Sequence, residues 1–103
     1  MTKIISKNPS KNFEENGFIE SSSFAEISEK VNLAHQTKDK WANLEIKERI
    51  DFLKRVVSVF EQKKDELALL ISKEMGMPIS QALDDVSMGI SYFQWYFENA
   101  ENI

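Results

Sequence analysis

The sequence predicts a mainly α-helical chain in which an amino-terminal strand pair is followed by four helices. Apolar residues recur at helical spacing from about residue 24 onward, whereas the first 22 residues contain only short apolar pairs among turn-forming residues. Gly76 and Pro78 stand where one helix would end and another begin. A length of 103 residues suits one compact domain and not two ordinary ones.

The first 22 residues predict a pair of strands. Ile4-Ile5 and Phe18-Ile19 are the apolar pairs, and between them lie Pro9, Gly17 and the asparagines Asn8, Asn12 and Asn16. We expect strands near residues 3–7 and 17–22, joined by a turn-rich loop and paired as a hairpin. Because an isolated hairpin is marginally stable in water, it should lie on another surface of the chain.

Two helices are expected next, near residues 24–42 and 45–62. Ser23 and Glu26 have the spacing of a capping box, which marks the start of the first helix. The second helix has an unusually wide apolar arc, so it should contact neighbours on two sides. That arc consists of Ile46, Ile50, Leu53, Val57 and Phe60, with Phe52, Val56 and Val59 beside them.

A third helix is expected near 65–75, where Gly76 ends it, and a fourth near 79–101. The fourth helix has two apolar stripes, one containing Leu83, Val86, Ile90, Phe93, Phe97 and Ala100 and the other Met88, Tyr92 and Trp95. Helices two and four should meet through Leu53, Val57 or Phe60 and Val86, Ile90 or Phe93. A double stripe that continues among acidic residues near the last position suggests missing covering surface, and hence a fragment.

Composition excludes several classes of chemistry. The net charge of −4 argues against nucleic acid or an anionic membrane as a partner. With no cysteine and a single histidine, His35, the sequence offers neither a thiol nucleophile nor a two-histidine zinc site, and no metal site is expected. No apolar run suits a secretory signal or a membrane span. We therefore expect a soluble, cytoplasmic protein.

The remaining polar and aromatic candidates each have an ordinary explanation. Asp84 and Asp85, with Glu74, could form an acid-base pair, but acidic residues are common on a solvated helix face. His35 could titrate near neutral pH, but no second ligand lies near it in sequence. The aromatic residues between positions 92 and 97 could stack on bases, but a helix distributes them around more than half its circumference.

Several strings together resemble the amino-terminal region of NAD(P)-dependent aldehyde dehydrogenases, most of all the succinate-semialdehyde dehydrogenase branch. The resemblance extends from about residue 4 to residue 103 and is strongest in ISKEMGMPISQALDDV leading into WYFENAE. The other matching positions are Asn8-Pro9, Trp41, Arg49, Leu53 and Glu66-Leu67. The family usually has lysine between the matching glycine and proline, where this chain has Met77.

The resemblance implies a partial domain, 1–103, in which residues 1–22 form a strand pair and 23–103 the outer helices of an α/β cofactor domain. It implies oxidation of an aldehyde, such as succinate semialdehyde, through a cysteine thiohemiacetal, hydride transfer to NAD(P) and glutamate-assisted hydrolysis of the thioester. Those residues lie far beyond position 103, so no catalytic or cofactor-binding residue can be assigned, and the chain alone should bind neither NAD nor NADP. In some members the matching fourth helix lines the mouth of the substrate tunnel. Met88, Tyr92 and Trp95 are therefore candidate tunnel residues, although packing in a core is a sufficient and more common explanation for them.

Two functional hypotheses follow from the sequence. The first is a truncated or split aldehyde dehydrogenase segment, inactive alone, whose partner is the rest of such an enzyme or a second copy bound through exposed apolar helix faces. The second is a small acidic helical interaction module. The two hypotheses differ in whether the chain can stand as an independent folded unit.

Overall fold

The computed structural model describes residues 2–103 and has the expected order of elements. An antiparallel hairpin of β1 (Lys3–Asn8) and β2 (Glu14–Glu20) precedes four helices. These are α1 (Phe24–Ala42), α2 (Ile46–Gln62), α3 (Lys64–Met75) and α4 (Ile79–Asn99), followed by a short 3-10 helix, Ala100–Asn102. The predicted fold class is confirmed: α1 has the predicted boundaries, and those of the other helices differ from the predicted ones by at most two residues.

The second strand differs from the prediction, since it begins at Glu14 and not near residue 17 and ends at Glu20. The cause is a bulge: Ser6 pairs with Gly17 and Lys7 with Glu15, which leaves Asn16 without a pairing partner. Asn16 is therefore not a turn residue. Its amide Nδ2 donates to Ser6 Oγ at 3.3 Å and to the carbonyl oxygen of Lys73 at 3.0 Å, so it fastens the hairpin to the end of α3.

A compact turn joins the two strands over residues 9–13. The side chain of Asn8 is buried, and its Oδ1 accepts hydrogen bonds from Ser10 N at 3.0 Å and Ser10 Oγ at 2.7 Å. Asn12 and Phe13 both have positive φ, of 50° and 59°. Asparagine tolerates this conformation, whereas a bulky residue such as Phe13 adopts it at a cost in backbone strain.

The predicted capping box of α1 is present in the structure. Glu26 N donates to Ser23 Oγ at 3.2 Å, and Ser23 N donates to Glu26 Oε2 at 2.6 Å. These bonds satisfy amides that the first turn of a helix leaves without partners. The pKa of the Glu26 carboxyl is lowered from its ordinary value of 4.5, first by hydrogen bonding from the backbone N–H of Ser23 and then from its side chain. Local hydrogen bonds therefore define where α1 begins.

The junction between α3 and α4 contains the glycine stop predicted from the sequence. Gly76 caps α3 in the left-handed region, with φ 73° and ψ 17°, and Pro78 then precedes the first turn of α4. The backbone of Gly76 also lies against the hairpin turn, because a Cβ built on it would be 2.8 Å from Pro9 Cγ and 3.1 Å from Ser10 N. The hairpin thus rests on the end of α3, as expected for a hairpin that needs a supporting surface.

The helices α2, α3 and α4 pack on one another, but they enclose little core. The buried apolar residues are Ile50, Val57, Ala68 and Ala82, and only the two alanines have no exposed surface. Every residue of α1 is exposed, and the ring of Trp41 at its end lies 6.1 Å from that of Phe52. The radius of gyration is 17.8 Å, whereas a compact chain of this length would have about 13 Å. The fold is therefore an open arrangement of well-formed helices.

Candidate functional site

The three candidate tunnel residues lie on α4 at positions that share one side of the helix. Met88, Tyr92 and Trp95 are 51%, 61% and 52% exposed. Trp95 contacts Tyr96 edge to face, with ring centroids 5.1 Å apart. Their exposure makes them available to another surface, and their role at a tunnel mouth stays a prediction.

A different set of residues surrounds an open apolar space between α2, α3 and α4. We call it the interhelical cavity; its volume is about 200 Å³, and it is lined by Phe60, Leu67, Ile71, Val86, Gly89, Ile90 and Phe93. Phe60 from α2 and the α4 residues Val86, Ile90 and Phe93 meet here, as predicted for the contact between helices two and four. Engineered apolar cavities of about 150 Å³ stay dry and bind benzene, so this space is large enough for one aromatic ring.

Sequence reasoning did not identify Gly89 as part of a site. It lies in the middle of α4, where glycine costs up to about 1 kcal/mol relative to alanine, and a Cβ built on it would meet no atom within 4 Å. The signal that could have identified it is a glycine interrupting an otherwise strongly apolar helix face. Gly89 thus lines the interhelical cavity without contributing a side chain to it.

The titratable candidates are all on the surface. Asp84, Asp85, Glu74 and His35 are exposed. Within residues 2–103 no group of three or more histidine and acidic side chains could hold a metal ion.

The described residues also do not fit a dinucleotide. Dinucleotide binding in α/β folds uses parallel strands joined through a glycine-rich turn to a helix. The two described strands of this chain form an antiparallel hairpin instead. Gly17, Gly76 and Gly89 lie in a strand, at a helix end and within a helix. The parallel-strand arrangement is therefore not found among residues 2–103. No helix in this described part of the chain is long and apolar enough to cross a membrane.

Uncovered surface is the main property of the structure. The chain exposes 8453 Å², whereas a compact monomer of 11.9 kDa would expose about 6,000 Å². The excess of about 2,500 Å² is as large as the surface that one partner contributes to an extensive obligate interface. It includes both apolar stripes predicted to lack a cover, on α2 at Phe52, Val56 and Val59 and on α4 at Met88, Tyr92 and Trp95.

Comparison with protein-family profiles matches residues 2–103 to the aldehyde dehydrogenase family. The chain is 35% identical over 78 residues to a mitochondrial succinate-semialdehyde dehydrogenase of Oryza sativa subsp. japonica, a match that covers 76% of this chain and 15% of that protein. It is 30% identical over 79 residues to a 3-sulfolactaldehyde dehydrogenase of Pseudomonas putida, covering 77% of this chain and 16% of that protein. These curated relatives are thus about six times longer than the region they share with it.

A solved structure shares the arrangement of the helices as well. The glyceraldehyde-3-phosphate dehydrogenase GapN of Methanocaldococcus jannaschii, determined in complex with NADP, superposes with a TM-score of 0.84 at 25% sequence identity. The match covers 98% of this chain and 22% of that one. The open arrangement of hairpin and helices therefore also occurs within a much larger chain.

Proposed function

The chain belongs to the aldehyde dehydrogenase family, and we propose that it works as the amino-terminal segment of an NAD(P)-dependent aldehyde dehydrogenase. In this role the hairpin and helices form the outer part of a cofactor domain. The chemistry is supplied elsewhere, by a cysteine nucleophile and a dinucleotide site that residues 1–103 do not contain. The chain on its own does not oxidise aldehydes.

The single observation that carries this proposal is the excess surface of about 2,500 Å² on a chain whose helices are otherwise well formed. A segment of a larger enzyme needs such surface, because its helices pack against the remainder of the chain. The superposition on GapN supports the proposal, since the same open arrangement is found there over 22% of a longer protein. An independent interaction module would instead need its own core, and here Ile50 and Val57 are the only buried apolar residues larger than alanine among those described.

For the complete enzyme we propose an anionic short-chain aldehyde as substrate, with succinate semialdehyde as the first to test. The relatives named for succinate semialdehyde, 3-sulfolactaldehyde and glutarate semialdehyde all act on aldehydes that carry an acidic group. Oxidation of such an aldehyde would give an acid with a second negative charge. We assign recognition of that group to the remainder of the enzyme.

The proposal is tested by fragment complementation. The rice succinate-semialdehyde dehydrogenase is produced without its matching amino-terminal segment, and aldehyde-dependent reduction of NAD and NADP is followed by absorbance. We expect no turnover by either part alone and recovered turnover when this chain is added. The rice enzyme's own segment serves as the positive control. Recovery with that segment but not with this chain, or sustained turnover by this chain alone, would contradict the proposal.

A further inference from the structure

The bulge in β2 places an asparagine directly before a glycine on the surface of the hairpin. Of the seven asparagines in the chain, Asn16 is the one that glycine follows, and both Asn16 and Gly17 are exposed. A Cβ built on Gly17 would meet no described atom within 4 Å, so this position faces open space. Because glycine has no side chain, its backbone nitrogen can approach the side-chain carbonyl carbon of the asparagine before it. Asn-Gly pairs therefore lose the side-chain amide more readily than other asparagines, which are themselves thermolabile residues.

The folded hairpin opposes this reaction. Asn16 Nδ2 donates to Ser6 Oγ at 3.3 Å and to the carbonyl oxygen of Lys73 at 3.0 Å. Gly17 is paired with Ser6 across the two strands. Attack by the Gly17 nitrogen turns the amide of Asn16 away from both acceptors, so both hydrogen bonds must break first. The reaction therefore requires a hairpin that has separated from the end of α3.

The hairpin has few contacts that would prevent such a separation. It consists of two strands, and every residue of β2 is exposed. The bulge at Asn16 also interrupts the pairing of the strands between Ser6 and Lys7. Segments with little buried surface open at a lower free energy than the whole fold requires. Asn16 can therefore become reactive while the helices stay folded.

We propose that Asn16 is a site of spontaneous deamidation and that docking of the hairpin on α3 controls its rate. In the separated hairpin, the Gly17 nitrogen loses its proton to water and bonds to Cγ of Asn16. The bond from Cγ to Nδ2 breaks, and ammonia leaves. One water molecule then opens the resulting succinimide ring at either of its two carbonyl groups, which gives aspartate or isoaspartate at this position.

The product cannot restore the contact with α3. An ionised carboxylate accepts hydrogen bonds and donates none, whereas the group that Lys73 presents here is a carbonyl oxygen. In the aspartate form, two acceptors would face each other where a hydrogen bond now lies. Isoaspartate would also add a methylene group to the backbone of β2 at the bulge. Deamidation thus makes a reversible separation of the hairpin permanent.

The site is tested with the full 103-residue chain, incubated at mildly alkaline pH and digested over time for peptide mass spectrometry. We expect aspartate and isoaspartate to appear at Asn16 before any conversion of Asn12, which lies in the same hairpin but precedes Phe13. Unfolding in guanidinium chloride should accelerate the reaction at Asn16 by at least about fivefold, because both hydrogen bonds are then lost. Conversion of Asn16 no faster than that of Asn12, or equal rates with and without denaturant, would overturn the proposal.

A matched pair of variants tests the control by docking. In Gly76→Ala the new Cβ presses on the hairpin turn, whereas Gly89→Ala makes the same substitution in open space on α4. We expect the first to accelerate deamidation and the second to leave its rate unchanged. Ser6→Ala removes one acceptor of Asn16 and should accelerate the reaction about two- to tenfold. It serves in place of Gly76→Ala if circular dichroism shows that the latter loses helix content. Rates equal to that of the parent chain in both Gly76→Ala and Ser6→Ala would overturn the control by docking.

A variant that copies the product tests its effect on the hairpin. Asn16→Asp should lower the hydrogen-exchange protection of the hairpin amides about two- to tenfold more than Asn12→Asp does. The two variants add the same charge to the hairpin, but the first also removes the bond to Lys73. Equal losses of protection would show that deamidation does not release the hairpin, and would overturn that part of the proposal.

Discussion

Alanine placed at two glycines of this chain should have opposite effects on stability. Gly76 has φ 73°, a left-handed conformation that costs an alanine about 1–2 kcal/mol. The added Cβ would also lie 2.8 Å from Pro9 Cγ and 3.1 Å from Ser10 N, so the hairpin turn would have to move. Gly89 lies within α4 in open space, where alanine is favoured by about 0.8–1 kcal/mol. The two identical substitutions should therefore differ by about 2–3 kcal/mol in the free energy of unfolding.

The assay is urea unfolding followed by far-UV circular dichroism, with all variants at one protein concentration because association would shift the apparent stability. A double-mutant cycle with Pro9→Ala separates the two costs at Gly76. Removal of Cγ should relieve the closest contact and leave the conformational cost and the 3.1 Å contact with Ser10 N, so Gly76→Ala should destabilise the Pro9→Ala background less than the parent chain. A shift of stability in the same direction for Gly76→Ala and Gly89→Ala would contradict the conformational argument for the two glycines. A cycle without coupling would show that the hairpin does not rest on the end of α3 as described.

Three further predictions test local contacts. Ser23→Ala should destabilise α1 by about 1 kcal/mol relative to the neighbouring Ser22→Ala, as measured by helix content. The folded-state pKa of Glu26 is lowered, so the stabilisation of α1 by the ionised Glu26 carboxylate is present above the ordinary pKa of 4.5 and is lost as the pH falls through the folded-state pKa. Glu26→Gln should therefore abolish this loss of helix content in acid. Asn16→Ala should lower protection of the hairpin amides from hydrogen exchange by about 0.5–1.5 kcal/mol, and an unchanged hairpin would contradict its bonds to Ser6 Oγ and the end of α3. Phe13→Asn should raise the urea midpoint, because asparagine adopts positive φ at a lower cost; a lower midpoint would indicate that the aromatic side chain stabilises the turn by packing.

The helices were predictable from the sequence because their signals are local. Ser23 and Glu26 lie three residues apart and bond directly to each other, and Gly76 ends α3 through its own backbone conformation. Such features require no information about distant residues. The resemblance to the aldehyde dehydrogenase family could be identified for the same reason, since its strongest string surrounds the Gly76 junction and continues along α4.

What the sequence did not predict depends on residues far apart in the chain. The start of β2 was placed too late because the bulge at Asn16 is defined by pairing with Ser6 and Lys7, ten and nine positions away. The interhelical cavity could not be predicted because it forms only where three helices meet around Gly89. Exposed positions such as Tyr92 have the apolar character of a core, and sequence patterning alone does not distinguish a side chain that is packed from one that awaits a cover.

The same contrast between local and distant contacts explains why this chain has well-formed helices but little tertiary packing to stabilise their arrangement. The helix α1 is capped by its own residues and has no buried side chain, so its position depends on whatever covers it. Among the described residues, Ile50 and Val57 are the large apolar residues buried between helices, which is too little core to hold four helices and a hairpin. The additional apolar burial must come from another surface, and under the proposed function the remainder of a dehydrogenase supplies it. Adding that remainder should therefore raise the free energy of unfolding of α1 at the concentrations at which aldehyde oxidation appears.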